Sequence, residues 1–266
     1  MAHELAELME QAWSSFEEVC TQLEPAEWEL PTDCPGWTVK DQLAHICGVE
    51  SSLLGRPEPG DPVQAEHVRN EMGAVNEREI LARRSRSVDE LLDELRDATA
   101  ERGKVLASWT EEEWNEDAQG AFGVSSRTWI IGTRVVDVFT HEQDIRVATA
   151  RPGHLNGDVA RFVYGRMAGA MGFVVGKRAK GADGQSVVFA IGPPGDTFAI
   201  EMQGARGVRV DASPDPSASI AADVETFLRL TAGRWSPKRV IDEGRLTIEG
   251  DHDLAGRVVA GMNITP

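Results

Sequence analysis

The stretch Gly132-Thr-Arg-Val-Val-Asp-Val-Phe-Thr-His-Glu-Gln-Asp-Ile-Arg146 has the apolar spacing of a helix that buries one face. In such a helix, Asp137 and His141 lie four residues apart, which is one turn on the same face. A carboxylate and an imidazole placed in this way can bind one metal ion together. Because such pairs are common by chance, the hypothesis requires a third ligand from elsewhere in the chain.

Apolar residues recur with a helical period in the rest of the first half as well. We predict helices over residues 3–23, 39–54, 63–83, 88–106 and 129–149, with a polar loop over 109–126. Capping boxes are predicted at two of the helix starts, Thr38 with Asp41 and Ser87 with Glu90. Together these segments predict an antiparallel four-helix bundle whose connections are long enough to carry a site.

The pattern changes after Pro152-Gly153. Residues 155–177 are predicted to form one helix, and alternating segments predict strands over 186–191, 197–202, 207–211 and 245–249, with helices over 224–230 and 253–260. We therefore expect an α+β protein of two domains. Residues 1–150 would form the helical bundle that binds the metal, and residues 151–266 an α+β domain around a mainly antiparallel sheet.

Charge and composition narrow the class of protein. The 266-residue chain has a net charge of −17, and residues 1–150 hold 31 acidic against 13 basic side chains. The absence of a basic patch argues against a nucleic-acid partner. No apolar run reaches the roughly 20 residues of a membrane span, and the N-terminus lacks the basic residues of a signal peptide. Three cysteines at no zinc-ribbon or redox spacing fit a reducing compartment. We expect a cytoplasmic monomer or homodimer.

His45 is the third metal ligand that the sequence favours, because it lies among buried-type residues of a well-patterned helix. With Asp137 and His141 it forms a set of two histidines and one carboxylate. This set suits zinc, nickel or ferrous iron, and it leaves positions open for water or substrate. Spacing alone leaves an alternative open, in which His45 is a hydrogen-bonded core residue and Asp137 is the buried partner of Arg134 or Arg146.

Other side chains near these segments are weaker candidates. Cys34 and Cys47 could be ligands, but small buried residues are the simpler interpretation. Trp28 and Trp37 are expected to pack the loop before the helix of His45, with a role in a pocket wall left open.

Two sequence blocks are distinctive in combination. The first is Thr32-Asp-Cys-Pro-Gly-Trp-Thr-Val-Lys-Asp-Gln-Leu-Ala-His45, and the second is Asp137-x-x-x-His-Glu-Gln-Asp-Ile-Arg146, with Asn76-Glu-Arg78 between them. They resemble the mycothiol-dependent maleylpyruvate isomerase family, which belongs to the wider DinB-like metalloenzymes. Residues 155–266 are similar to the C-terminal domain of that family, a sterol-carrier-type fold, most recognisably at Thr231-Ala-Gly-Arg234.

The resemblance implies roles for particular residues. His45, Asp137 and His141 take the metal-ligand positions, with zinc the first choice and nickel or iron as alternatives. The maleylpyruvate isomerase has a glutamate where this chain has Asp137, so the carboxylate here is one methylene shorter. Asp144 is expected to orient His141 through its second nitrogen, and Arg234 to hold a substrate carboxylate.

The function implied is metal-dependent activation of a low-molecular-weight thiol, mycothiol. The sulfur of the thiol would either be transferred to a small electrophile of the maleylpyruvate type or catalyse the cis–trans isomerisation of that electrophile. Because a metal stabilises the thiolate, the protein needs no cysteine nucleophile of its own. Two alternatives come from other classes. One is a non-catalytic small-molecule-binding protein, and the other is a metal-dependent hydrolase that uses a bound water.

Overall fold

The structure, a computed structural model, describes residues 2–120 and 123–265. The chain divides into two units, Met1–Gly153 and His154–Pro266, and each has its own buried apolar core. The first unit is mainly helical and the second contains a five-stranded sheet, so the predicted α+β class is confirmed. None of the described helices is both long enough and apolar enough to cross a membrane.

The described part of the first unit is built on four long helices. They are α1 (Ala2–Thr21), α2 (Val39–Leu53), α4 (Val88–Ser108) and α6 (Arg127–Ala148), and the shorter helices are α3 (Glu71–Leu81) and α5 (Glu111–Asn115). Helix α1 packs against α6 and α4, and α2 packs against α4 and α6. Helix α2 therefore lies beside α6, which carries the stretch Gly132–Arg146.

Local sequence explains why α1 and α2 form where they do. In α1 the buried residues recur every three or four positions, as an amphipathic helix requires: Leu5, Met9, Ala12, Phe16 and Val19. Helix α2 begins at the predicted capping box, which the structure confirms. The backbone N–H of Asp41 donates to Thr38 Oγ1 at 3.2 Å, and the backbone N–H of Thr38 donates to Asp41 Oδ2 at 3.0 Å.

Two predictions in the first unit were wrong. The helix predicted over 63–83 begins only at Glu71, because Asn70 caps it by accepting a hydrogen bond from the N–H of Gly73. The loop predicted over 109–126 contains α5 and a hairpin of β1 (Asp117–Gly120) and β2 (Gly123–Ser126). Helix α5 begins at a capping box of Thr110 with Glu113, a sequence pattern from which this helix could have been predicted.

The second unit surrounds one mixed sheet. Its strands are β3 (Ser186–Ile191), β4 (Thr197–Gln203), β5 (Arg206–Val210), β6 (Ala218–Ala222) and β7 (Leu246–Gly250), in the order β5-β4-β3-β6-β7. Only the β3–β6 pair is parallel, so the sheet is mainly antiparallel as predicted. Its helices are α7 (Asp158–Gly169), the turn α8 (Met171–Phe173), α9 (Val224–Thr231), α10 (Pro237–Asp242) and α11 (His252–Ala260).

Two predictions in this unit also need correction. The single helix predicted over 155–177 is divided into α7, α8 and a π-helical turn over Val174–Arg178. The short turn α8 packs Gly172 against Gly207 of strand β5, where a Cβ on Gly207 would lie 2.4 Å from the carbonyl oxygen of Gly172. Strand β6 was missed because Ala218-Ser-Ile-Ala-Ala222 has few of the β-branched and aromatic residues that mark a strand.

Candidate metal centre

Helices α2 and α6 bring His45, Asp137 and His141 together. His45 Nε2 lies 3.2 Å from Asp137 Oδ2, and His141 Nε2 lies 3.5 Å from Asp137 Oδ1. One donor atom from each residue lies within 4.8 Å of the other two. Two N or O ligands of a tetrahedral zinc ion are about 3.4 Å apart, so the donor spacing fits a single ion. The ligand roles themselves stay a prediction.

The protonation states of the group also suit a metal. Burial, aided by the charge of His141, lowers the pKa of His45 to about 4 against the opposing pull of Asp137. Burial favours the neutral acid of Asp137, but the charges of Arg134, His141 and His45 outweigh it and hold its pKa well below the usual range. Near neutral pH the site therefore offers a neutral imidazole and a carboxylate, which are the forms that coordinate metals.

A network of buried charged side chains, Arg134, Glu50 and Arg102, continues from Asp137 into the bundle. Arg134 donates through Nη1 to Asp137 Oδ2 and through Nη2 to Glu50 Oε1 at 2.8 Å. Glu50 is completely buried and also accepts hydrogen bonds from Arg102 and from the indole of Trp13, both at 3.2 Å. The sequence had raised Arg134 as an alternative partner of Asp137, and the structure shows that contact together with the histidine contacts. Glu50 was missed, since its partners lie far away in the sequence.

Arg146, the other partner considered for Asp137, lies elsewhere. Its Nε donates to Glu142 Oε1 at 2.6 Å, one turn back on α6. Asp137 is therefore shared between the histidines and Arg134.

Trp37 covers both histidines. Its ring centroid lies 5.0 Å from that of His45 and 5.6 Å from that of His141, and the two imidazoles are 4.5 Å apart. The indole N–H donates to Glu77 Oε2 at 3.1 Å, and His67 Nε2 lies 2.9 Å from the same oxygen. Trp37 is thus both a loop anchor and a wall of the site. The Nδ1 of His45 is buried with no hydrogen-bond partner in the described part of the chain, so the ring is held by its Nε2 contact with Asp137 and by packing against Trp37.

The turn before Trp37 is shaped by a glycine. Gly36 has φ +82°, and a Cβ there would lie 2.3 Å from His67 Nδ1. Both facts require glycine at this position. The turn brings the Trp37 ring onto the histidines.

Asp144 and Gln42 both approach the second nitrogen of His141. Asp144 is buried, and its Oδ2 lies 3.4 Å from His141 Nδ1. Gln42 Oε1 is nearer, at 2.5 Å. Gln42 was not singled out from the sequence, although it precedes His45 by three residues and therefore shares its face of α2. The expected orienting role of Asp144 stays a prediction, with Gln42 as the nearer partner.

Arg234 belongs to the second unit and follows α9. It is half-buried, and its Nη1 donates to the carbonyl oxygen of Ala232 at 3.2 Å. Its expected role in holding a substrate carboxylate stays a prediction.

The cysteines differ in their surroundings. Cys47 is buried, its Sγ donates to the carbonyl oxygen of Leu91 at 3.3 Å, and burial raises the pKa of its thiol. Cys34 is half-buried and can form a second donor group with His141 and Asp144. Asp144 Oδ2 lies 3.4 Å from His141 Nδ1, and Gln42 Oε1 lies 2.5 Å from that same nitrogen, so the first group is favoured as the metal site.

Comparison with known proteins identifies two families along the chain. The model of the mycothiol maleylpyruvate isomerase N-terminal domain matches residues 9–146, and the model of the SCP-2 sterol transfer family matches residues 174–262. Among curated protein sequences, none matches the chain.

Solved structures share the fold. The crystal structure of the mycothiol-dependent maleylpyruvate isomerase matches with a TM-score of 0.58 at 17% identity, covering 94% of this chain and 93% of that chain. A histidine-to-alanine mutant of that enzyme matches over the same shares, with a TM-score of 0.57 at 16% identity. At this identity the structures support the fold. Since the N-terminal family model spans more than half of the sequence, the chain belongs to the mycothiol maleylpyruvate isomerase family.

Proposed function

We propose that this protein is a metal-dependent enzyme that activates a low-molecular-weight thiol, mycothiol, for reaction with a small electrophile. The observation that carries the proposal is the group of His45, Asp137 and His141, whose donors face one another at 3.2 and 3.5 Å. Family membership and the solved structures named for a mycothiol-dependent isomerase support the choice of thiol.

The three ligands would hold one divalent ion, zinc before nickel or iron. A bound ion of this kind supplies stabilisation of a thiolate, so that a thiol becomes nucleophilic at neutral pH. The protein's residues hold and shield the site. Arg134 keeps Asp137 ionised and in place, and Trp37 excludes water from one face of the two imidazoles.

The reaction would begin with the sulfur of the thiol adding to an activated double bond of the substrate. Rotation about the resulting single bond, followed by loss of the same thiol, returns the double bond in the other geometry and regenerates the thiol. If the thiol is not lost, the product is the S-conjugate, with a proton added at the neighbouring carbon. We propose a substrate of the maleylpyruvate type for the first outcome.

Elemental analysis with a thiol titration tests this function. Purified protein should contain about one equivalent of divalent metal. His45→Ala and His141→Ala should lose it, while a control, His252→Ala at the exposed start of α11, should keep it. Retention of metal by both site variants would contradict the proposed centre.

Turnover measured with and without thiol separates the enzyme classes. Mycothiol should bind the metal-loaded protein and be required for conversion of a maleylpyruvate-type substrate. Hydrolysis of a substrate without any thiol would support the metal-dependent hydrolase. Absence of both metal and thiol binding would support the non-catalytic binding protein.

A further inference from the structure

A chain of hydrogen bonds connects the loop before α2 to the proposed ligand His141. Gln42, completely buried on α2, lies between them. Its Oε1 is 2.5 Å from His141 Nδ1, and its Nε2 is 2.8 Å from Thr32 Oγ1. Thr32 and His141 are 109 positions apart in the sequence, so only the packing of the loop, α2 and α6 creates this chain.

The direction of these hydrogen bonds follows from Thr32. Its hydroxyl donates its single proton to the carbonyl oxygen of Trp37 at 2.9 Å, since a carbonyl oxygen is only an acceptor. The same oxygen accepts from the backbone N–H of Cys34 at 3.2 Å. With its proton committed, the Thr32 hydroxyl must accept from Gln42. The amide of Gln42 therefore presents its NH₂ group to Thr32 and its carbonyl oxygen to His141.

An acceptor at this point determines which nitrogen of His141 carries the proton. Nδ1 must be protonated to donate to Gln42 Oε1, so in the neutral ring Nε2 has the lone pair. Nε2 is the nitrogen that lies 3.5 Å from Asp137 Oδ1, within the proposed metal centre. The buried carboxylate of Asp144, 3.4 Å from Nδ1, favours the same arrangement.

We infer that Thr32 and Gln42 are positioning residues that fix the tautomer and the ring orientation of His141 for metal binding. The metal part of this inference rests on the proposed function. Residues that hydrogen-bond a metal-binding histidine without contacting the metal themselves usually contribute a factor of about 10–100 to the metal affinity. This role requires a hydroxyl at position 32, at the start of the Thr32–Trp37 loop, and an amide at position 42, three residues before His45.

Two substitutions of Thr32 separate the hydroxyl from the shape of the side chain. Thr32→Val is nearly isosteric but has no hydroxyl, so the Gln42 amide loses the acceptor that sets its direction. Thr32→Ser keeps the hydroxyl. In competition with a chelator, the affinity for zinc should fall by about 10-fold or more in Thr32→Val, whereas Thr32→Ser should bind zinc like the wild type. Equal affinity in Thr32→Val and the wild type would overturn the inference.

The tautomer can be measured without any metal. Long-range ¹H–¹⁵N correlation spectra of the metal-free, full-length wild type at mildly alkaline pH report the protonated nitrogen of each of the six histidines. Comparison with His141→Gln assigns the signal. The Nδ1–H form is expected for His141, and any other form would contradict the positioning role. If the wild type binds no zinc, the proposed function fails, while this spectrum still tests the hydrogen-bond chain on its own.

Discussion

Removing the charge of Glu50 is the most direct test of the network behind the metal centre. Glu50→Gln keeps the size of the side chain and one carbonyl oxygen but removes the anion shared by Arg102 and Arg134. Both arginines are buried, with exposed fractions of 3% and 8%. Burial already lowers the pKa of Arg102 in spite of Glu50. Arg134 would keep Asp137 as a partner, whereas Arg102 would lose the anion with which the structure pairs it.

The size of the effect follows from this burial. Removing one member of a buried ion pair typically costs about 3–5 kcal/mol, because a buried charge is left uncompensated. We expect Glu50→Gln to lower the free energy of unfolding of the first unit by about 3 kcal/mol, since the remaining carbonyl oxygen still accepts one hydrogen bond.

Urea unfolding followed by tryptophan fluorescence measures this change. Six of the seven tryptophans belong to the first unit, so the signal reports mainly the bundle. Glu101→Gln is the matched control, because Glu101 accepts from Arg56 Nη2 at 2.7 and 2.6 Å on the exposed surface. An exposed pair contributes about 0–1 kcal/mol. Equal losses in the two variants would refute the claim that the buried network stabilises the bundle.

Three further predictions concern the site. In the metal-free protein, His45 should account for a loss of about 3 kcal/mol of stability as the pH falls from 6.5 to 4, because it takes up a proton in the unfolded chain before it does so in the folded one. The unfolding free energy of His45→Gln should therefore depend less on pH over this range. An unchanged slope would contradict the depressed pKa of His45. In competition with a chelator, Asp137→Glu should keep the zinc affinity of the wild type. Asp137→Asn should lose more than the factor of about 10–100 that is typical for residues that only hydrogen-bond a ligand. Equal zinc affinities of Asp137→Asn and the wild type would exclude Asp137 as a ligand. Gly36→Ala should destabilise the bundle more than Gly55→Ala, because only at position 36 would the new methyl group clash with His67. Gly55 is the matched control, since it has a similar φ of +79° but open space around it. Equal unfolding midpoints of the two variants would argue against the close contact between Gly36 and His67.

Local patterns in the sequence were sufficient for most of the helices. The apolar period from Leu5 to Val19 and the capping box of Thr38 with Asp41 act within one or two turns of chain, and the structure confirms both. The spacing of Asp137 and His141 likewise places them on one face of α6 wherever that helix packs. Prediction failed where local preference is weak, as in the alanine-rich strand Ala218–Ala222, whose pairing with Ser186–Ile191 and Leu246–Gly250 makes it a strand.

What the sequence by itself determined is therefore the α+β class, the main helices and the acid–histidine pair of α6. The tertiary structure alone decided which groups surround that pair. Gln42 reaches His141 across 99 positions, and Glu50 reaches Arg134 across 84. Such contacts depend on how α2 and α6 pack, and no periodicity or cap within either helix encodes the choice of partner. The protonation states of His45 and Asp137 depend on the same packing, because burial and neighbouring charges set their pKa values only once the helices have met.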